Sequence, residues 1–181
     1  MGYSFGLVLH LGIILLAFSF YGAQAERKLK IYKLEKKHQD SESLHSHLRI
    51  AEFEENVLKV SGDLKLHETI DNDWKIKLKV LRGLERDGIK DELIEFEMPI
   101  CDFMKSVYKE YFYKRIKDYS NAPHPNNCPI PAEDYSMDDF PLDVHLLKKL
   151  MLPGHYAIKF YLEDASSVKL QYKMEMEMDY D

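Results

Sequence analysis

The chain has 181 residues, with 25 Lys and Arg against 31 Asp and Glu and a formal net charge of −6. Its charges are interspersed, so there is no basic stripe for nucleic acid and no polybasic cluster for anionic lipid. Two cysteines exclude a miniprotein held together by a disulfide framework, and the length is enough for one domain with a real core.

Residues 5–21 are nearly all apolar, and Ala23-Gln24-Ala25 forms a small-x-small cleavage site. This predicts a signal peptide over residues 1–25 and a secreted, extracellular product. No Lys, Arg, Asp or Glu precedes Glu26, so the leader's charged region is weak. An uncleaved signal anchor is the alternative, against which the run is short for a spanning helix. After cleavage no transmembrane segment is expected. No Asn-x-Ser/Thr acceptor is present.

Residues 26–46 are polar and suit either a short edge strand over Leu29–Leu34 or a frayed arm. A single domain is expected over residues 47–181. Leu58, Val60, Leu64 and Leu66 alternate with Lys59, Ser61, Asp63 and Lys65. Trp74, Ile76, Leu78 and Val80 alternate with Lys75, Lys77 and Lys79, and Ile94, Phe96 and Met98 with Glu95 and Glu97. Between Asp102 and Tyr119 the period changes. Met104, Val107, Tyr108, Tyr111, Phe112 and Arg115 recur at three- and four-residue steps, predicting an amphipathic helix that Asp102 would cap and that Pro123 and Pro125 keep from continuing. Alternation returns in Tyr156, Ile158, Phe160 and Leu162, and again in Val168, Leu170, Tyr172, Met174, Met176 and Met178.

A period of two places one dry and one wet face on each strand. Asp71-Asn72-Asp73, Arg82-Gly83, Asp87-Gly88, Pro153-Gly154 and Ala165-Ser166-Ser167 supply turns between them. The fold class is therefore mainly β, an antiparallel β-sandwich with one amphipathic helical excursion around residues 102–119.

Cys101 and Cys128 bracket that excursion, and in an exported chain they are expected to form a disulfide. They lack the Cys-x-x-Cys spacing of a zinc site. His45-Ser46-His47 would put two imidazoles on one strand face, but without a third ligand it reads as a solvated lead-in. Glu133, Asp134, Asp138, Asp139 and Asp143 lack the spacing and glycine of a calcium loop and read as a wet edge. No metal or cofactor is expected. Neither a Gly-x-Ser-x-Gly elbow nor a phosphate loop occurs, so no catalytic residue is assigned and no enzyme is expected. The aromatic residues crowding the helix and its exit suit either core packing or the roof of an apolar cavity.

Three motifs carry a resemblance: Cys101-Asp102-Phe103-Met104-Lys105, then Tyr119-Ser120-Asn121 before Cys128-Pro129, then Leu152-Pro153-Gly154-His155-Tyr156. Over roughly residues 56–178 the chain resembles a family of small secreted insect proteins grouped with the CheB chemosensory proteins. That family is in turn similar to the ML, or ganglioside-activator-type, lipid-recognition fold. Many relatives carry further cysteines in the N-terminal half, and here there are none. The resemblance implies a secreted, non-enzymatic binding protein for an apolar small molecule such as a lipid, cuticular hydrocarbon or pheromone, with a place in chemosensation. It makes Trp74, Phe96, Met104, Tyr108, Tyr111, Phe112 and Phe160 candidates for lining a ligand cavity. The alternative reading is an extracellular interaction module or co-receptor that meets a cell-surface receptor through the aromatic helix face.

Overall fold

The computed structural model describes residues 27–54, 57–145 and 151–180. The signal peptide expected over residues 1–25 lies outside them. Among the described residues the strands are β1 (Arg27–Gln39), β2 (Leu44–Glu54), β3 (Val57–Leu66), β4 (Lys75–Gly83), β5 (Asp91–Pro99), β6 (Asp134–Asp143), β7 (Gly154–Glu163) and β8 (Val168–Tyr180). They form a five-stranded sheet in the order β1-β8-β7-β4-β5 and a three-stranded sheet in the order β2-β3-β6. All neighbours are antiparallel. The protein is therefore mostly β, as the alternation predicts.

Three strands exceed or depart from the expectation. β1 is an edge strand of 13 residues paired along β8, so residues 27–39 belong to the main sheet. In β2 the histidines of His45-Ser46-His47 are exposed, as a solvated lead-in requires, but Leu44 and Ser46 are buried and the strand runs on to Glu54. β6 takes up the acidic run, with Tyr135 buried between exposed Asp134 and Ser136. Asp139 adopts φ 48° where the β3–β6 register slips, and its carboxylate accepts from Lys59 Nζ at 2.9 Å and Ser61 Oγ at 3.2 Å. An acidic residue at a bulge can satisfy its local donors in this way.

The two sheets share a core. Leu162, Leu170 and Tyr172 from the large sheet meet Leu44, Leu66 and Tyr135 from the small one, with Ile70, Trp74 and Ile130 from connecting segments. A hydroxyl pair bridges the layers, Ser46 Oγ lying 2.7 Å from Tyr172 OH. A second cluster at the other end of the large sheet gathers Tyr156, Met176 and Met178 with Leu29, Ile31, Val80, Met151, Ile158 and Met174.

The segment after β5 forms one helix, α1, over residues 100–116. It opens as an α-turn (Ile100–Phe103), runs as a π-helix (Met104–Tyr113) and closes as an α-turn (Lys114–Ile116). Its start is capped from outside rather than by Asp102. Asn72 Oδ1 accepts the Cys101 N–H at 2.9 Å, and Trp74 O accepts the Ile100 N–H at 2.9 Å. These bonds satisfy two of the donors that a helix start leaves open. The Asp71-Asn72-Asp73 turn thus sets where the excursion begins.

Cys101 and Cys128 are bonded, with Cα atoms 5.5 Å apart and 27 residues of separation. Closing a loop of that length constrains the unfolded chain by about 3.5 kcal/mol. The return segment is stitched to its surroundings. Ile70 and Ile130 exchange backbone hydrogen bonds at 3.0 and 2.9 Å. Asn121 acts as a short strand beside β6, donating Nδ2–H to Asp134 O at 2.8 Å and accepting the Ser136 N–H at 2.6 Å.

Leu152-Pro153-Gly154-His155-Tyr156 performs a similar task at the opposite end. Pro153 O accepts from Arg82 Nε at 3.1 Å and from Arg82 Nη2. His155 stacks on Tyr32 of β1 and lies 3.4 Å from Glu177 of β8, while Tyr156 OH donates to Leu152 O at 2.6 Å. Gly154 has φ +147°, and a Cβ there would sit 2.9 Å from Gly83 O and 3.0 Å from Arg82 Nε. Both the backbone conformation and the space exclude a side chain. Gly154→Ala is therefore expected to lower stability by about 1–3 kcal/mol, read as a drop in thermal midpoint of about 2–4 °C per kcal/mol. An unchanged midpoint would show that β7 does not depend on this approach.

Candidate functional site

The inward side of the large sheet is a grid set by register. One row runs Phe96–Leu78–Phe160–Tyr172 across β5, β4, β7 and β8, and the next runs Ile94–Val80–Ile158–Met174–Leu34 and reaches β1. These rows belong to the middle of the sheet, where a filled sandwich would close-pack every side chain. Here Phe96, Leu78, Phe160, Val80, Ile158 and Met174 are only half-buried, and Ile94 is 54% exposed. On either side Leu162 and Leu170 toward one end and Tyr156, Met176 and Met178 toward the other are buried, while Ile76 and Met98 in the row of Leu162 stay half-buried.

The cover is partial. The small sheet and α1 pack onto the end of the large sheet that holds Trp74, Met104, Tyr108, Leu162 and Leu170, and the cluster at the other end contains no residue of the small sheet. What remains is an apolar strip, centred on β4 and β7, that opens toward the β5 edge at Ile94. It suits an apolar chain laid across the strands, with the thioether of Met174 adaptable in shape.

The expected site residues divide into three groups. Trp74 (5% exposed), Met104 and Tyr108 (7%) lie in the closed core, with Phe160 packed against them from the strip. Burial pushes the Tyr108 hydroxyl up to about 12, and it donates to Pro123 O at 3.0 Å. Phe96 lies on the strip itself, paired in register with Leu78. Tyr111 and Phe112 are 59% and 48% exposed, so they do not share the buried face on which an α-helical period places them. The π-helix explains the displacement. Hydrogen bonds that close five residues apart widen the turn, and the core-facing residues become Met104, Tyr108 and Tyr113, at steps of four and five. Leu78, Val80, Ile158 and Met174 were legible as inward strand positions but not as a site. Nothing in their alternation distinguishes a half-covered row from a sealed one.

The outer side of the same sheet is a lattice of ion pairs. Lys77 Nζ lies 2.9 Å from Glu95 and 3.2 Å from Glu97, and Lys79 Nζ lies 3.1 Å from Glu92 and 3.0 Å from Glu95. On β1, Glu35 takes both Lys33 at 2.8 Å and Lys37 at 2.6 Å. Among the described residues no group of three His, Cys, Asp or Glu is placed to hold a metal ion. No helix among them is long and apolar enough to cross a membrane.

The family described as a protein of unknown function, DUF1091, matches residues 76–158. That span runs from β4 through β5, α1 and β6 into β7, and includes both cysteines and the Leu152–Tyr156 motif. No curated protein matches the chain.

The lattice dictates an acid response. Hydrogen bonds from Lys77 and then Lys79 hold the Glu95 carboxyl at about 2, and those from Lys33 and Lys37 hold Glu35 at about 2. Carboxyls depressed in the fold contribute stability that is complete above their ordinary value of 4.5 and is lost as pH falls toward 2. Lys77 and Lys79 are raised by the same partners, so their contribution is complete below 10.5 and fades only at higher pH. Acid titration should therefore show stability falling between pH 4.5 and 2. The fall should be smaller in a Glu35→Gln/Glu95→Gln variant and at high salt, since these groups are exposed and screened. Identical acid profiles for both proteins would remove the lattice as the cause.

Proposed function

We propose that this chain is a secreted, non-enzymatic binding protein that holds an apolar small molecule, such as a lipid, cuticular hydrocarbon or pheromone, between its two sheets. The observation that carries the reading is the half-buried strip of Leu78, Val80, Phe96, Ile158, Phe160 and Met174 in the middle of the large sheet, between two buried clusters. A ligand covering about 200 Å² of such surface gains about 5 kcal/mol from desolvation alone. The likeness to the CheB-like insect family and to the ML lipid-recognition fold supports the same assignment, as does a β-rich fold stapled by one disulfide. A role in chemosensation follows from that likeness.

Binding of this kind needs no catalytic group, cofactor or metal. The exposed rings of Tyr111 and Phe112 favour a second reading, in which α1 is also a contact surface for a partner at the cell surface.

The test is uptake of an apolar fluorophore such as N-phenylnaphthylamine by the oxidised, secreted protein, followed by displacement with long-chain lipids and hydrocarbons. Saturable binding is expected. Ile158→Trp, which fills the strip without burying a charge, should weaken it at least tenfold, while Tyr111→Ser should leave it unchanged. No uptake, or uptake indifferent to Ile158→Trp, sinks the reading. Secretion itself is checked by N-terminal sequencing, which should begin at Glu26. Retention of Met1 in a cell-associated product would instead establish an anchor.

A further inference from the structure

Most lysines of the sheets are partnered within the molecule. Lys33, Lys37, Lys59, Lys65, Lys75, Lys77, Lys79, Lys169 and Lys173 each pair with a carboxylate, Lys36 donates to Gln39 Oε1 and Ser46 O, and Lys30 lies over the Tyr32 ring. α1 and its exit are different. Lys105, Lys109, Lys114, Arg115 and Lys117 are all exposed, and none of them forms an ion pair among the described residues. The acidic groups of the same stretch are Asp102, Glu110 and Asp118. Five cations against three anions leave a local charge of +2 on a chain of net charge −6. Among these cations stand Tyr111 and Phe112, 59% and 48% exposed.

We propose that the solvent side of α1 is a docking surface for bilayers containing anionic lipid, against the expectation from the interspersed charges of the sequence, because the helix gathers Lys105, Lys109, Lys114, Arg115 and Lys117 on one exposed segment. Unpaired cations complement an anionic headgroup layer. Lysine stems can lie along the interface while their ammonium groups reach the headgroups. Tyrosine and phenylalanine suit the boundary between headgroups and acyl chains. Lysine is depleted from protein–protein interfaces, so four lysines around two rings fit a lipid surface better than a protein one. The opposite side of the helix is fixed by Met104 and Tyr108 to the core, so docking requires no rearrangement of the fold. Because α1 directly follows β5, a docked helix also holds that edge of the sandwich at the bilayer. The proposal does not depend on what occupies the apolar strip.

The experiment is co-sedimentation of the oxidised, secreted protein with phosphatidylcholine vesicles, with and without one-third phosphatidylserine. Binding is expected only with phosphatidylserine, and it should weaken as salt shortens the screening length from about 10 Å toward 3 Å. Each basic residue at such a surface contributes about fivefold in affinity. Lys105→Glu/Lys109→Glu/Lys114→Glu should therefore lose at least ~100-fold. Tyr111→Ser/Phe112→Ser should lose about tenfold, and Glu110→Lys should gain. All these positions are exposed, and an unchanged thermal midpoint confirms that each variant is folded. Equal binding to both vesicles, or undiminished binding by the charge-reversed variant, overturns the proposal. So does absence of binding, which leaves a cell-surface protein as the partner of the helix. None of these outcomes alters fluorophore uptake by the strip, which is measured without vesicles.

Discussion

The small sheet packs onto only one end of the large one, and the apolar face that this leaves half covered governs the rest of the molecule. The sequence supplies inward apolar residues on every strand of the large sheet, from Leu29 on β1 to Met98 on β5. Left bare, that face would be an aggregation hazard. One end is closed by the small sheet together with α1 and its return segment, which bring Met104, Tyr108 and Ile130 onto Leu162 and Leu170. The other end closes on itself around Tyr156, Met176 and Met178. The half-covered strip is what lies between these two solutions.

The motifs that carry the resemblance prove to be the fasteners of this arrangement. Cys101 and Cys128 clamp the base of the excursion. Ser120 and Asn121 tie its exit to Ile116 O and to β6. Gly154 permits the close approach of β7 to β4, and His155 sits between Tyr32 and Glu177 on the outer side, joining β7 to β1 and β8. None of these side chains faces the strip. The fasteners fix the frame, whereas ligand choice would rest with residues such as Leu78, Ile158 and Met174. Those residues can exchange among hydrophobic types with little effect on the frame.

Strands with strict alternation were legible because each has one dry and one wet side, as in β3, β4, β5, β7 and β8. β2 was obscured by Ser46, a polar residue at an inward position. Its hydroxyl is satisfied only by Tyr172, which lies 126 residues away in sequence. β6 was obscured by its acidic residues and by the bulge at Asp139, which breaks the period of two partway along. The helix was legible as an amphipathic segment, but its period was not. Nothing in the residues from Met104 to Tyr113 specifies i→i+5 closure, and that closure turns Tyr111 and Phe112 outward and Tyr113 inward. The site was the least legible part. Whether an inward apolar row is sealed depends on where the small sheet and α1 pack onto it, which is a property of topology and not of the row itself.

Charge distribution then separates the surfaces that can engage a partner from those that cannot. On the outer side of the large sheet, Lys75, Lys77 and Lys79 are matched by Glu92, Glu95 and Glu97 across one strand gap. Exposed pairs of this kind add little stability each. Their effect is to leave little uncompensated charge across β4 and β5 for an ion or headgroup to recruit, and to blunt the edge strand β5 against pairing with another sheet. Where the matching stops, on the solvent side of α1, the cations stand free beside two exposed rings. Where the apolar covering stops, between the two sheets, the strip stands half open. The capacity for recognition thus concentrates in these two places, one polar and aromatic, the other wholly apolar.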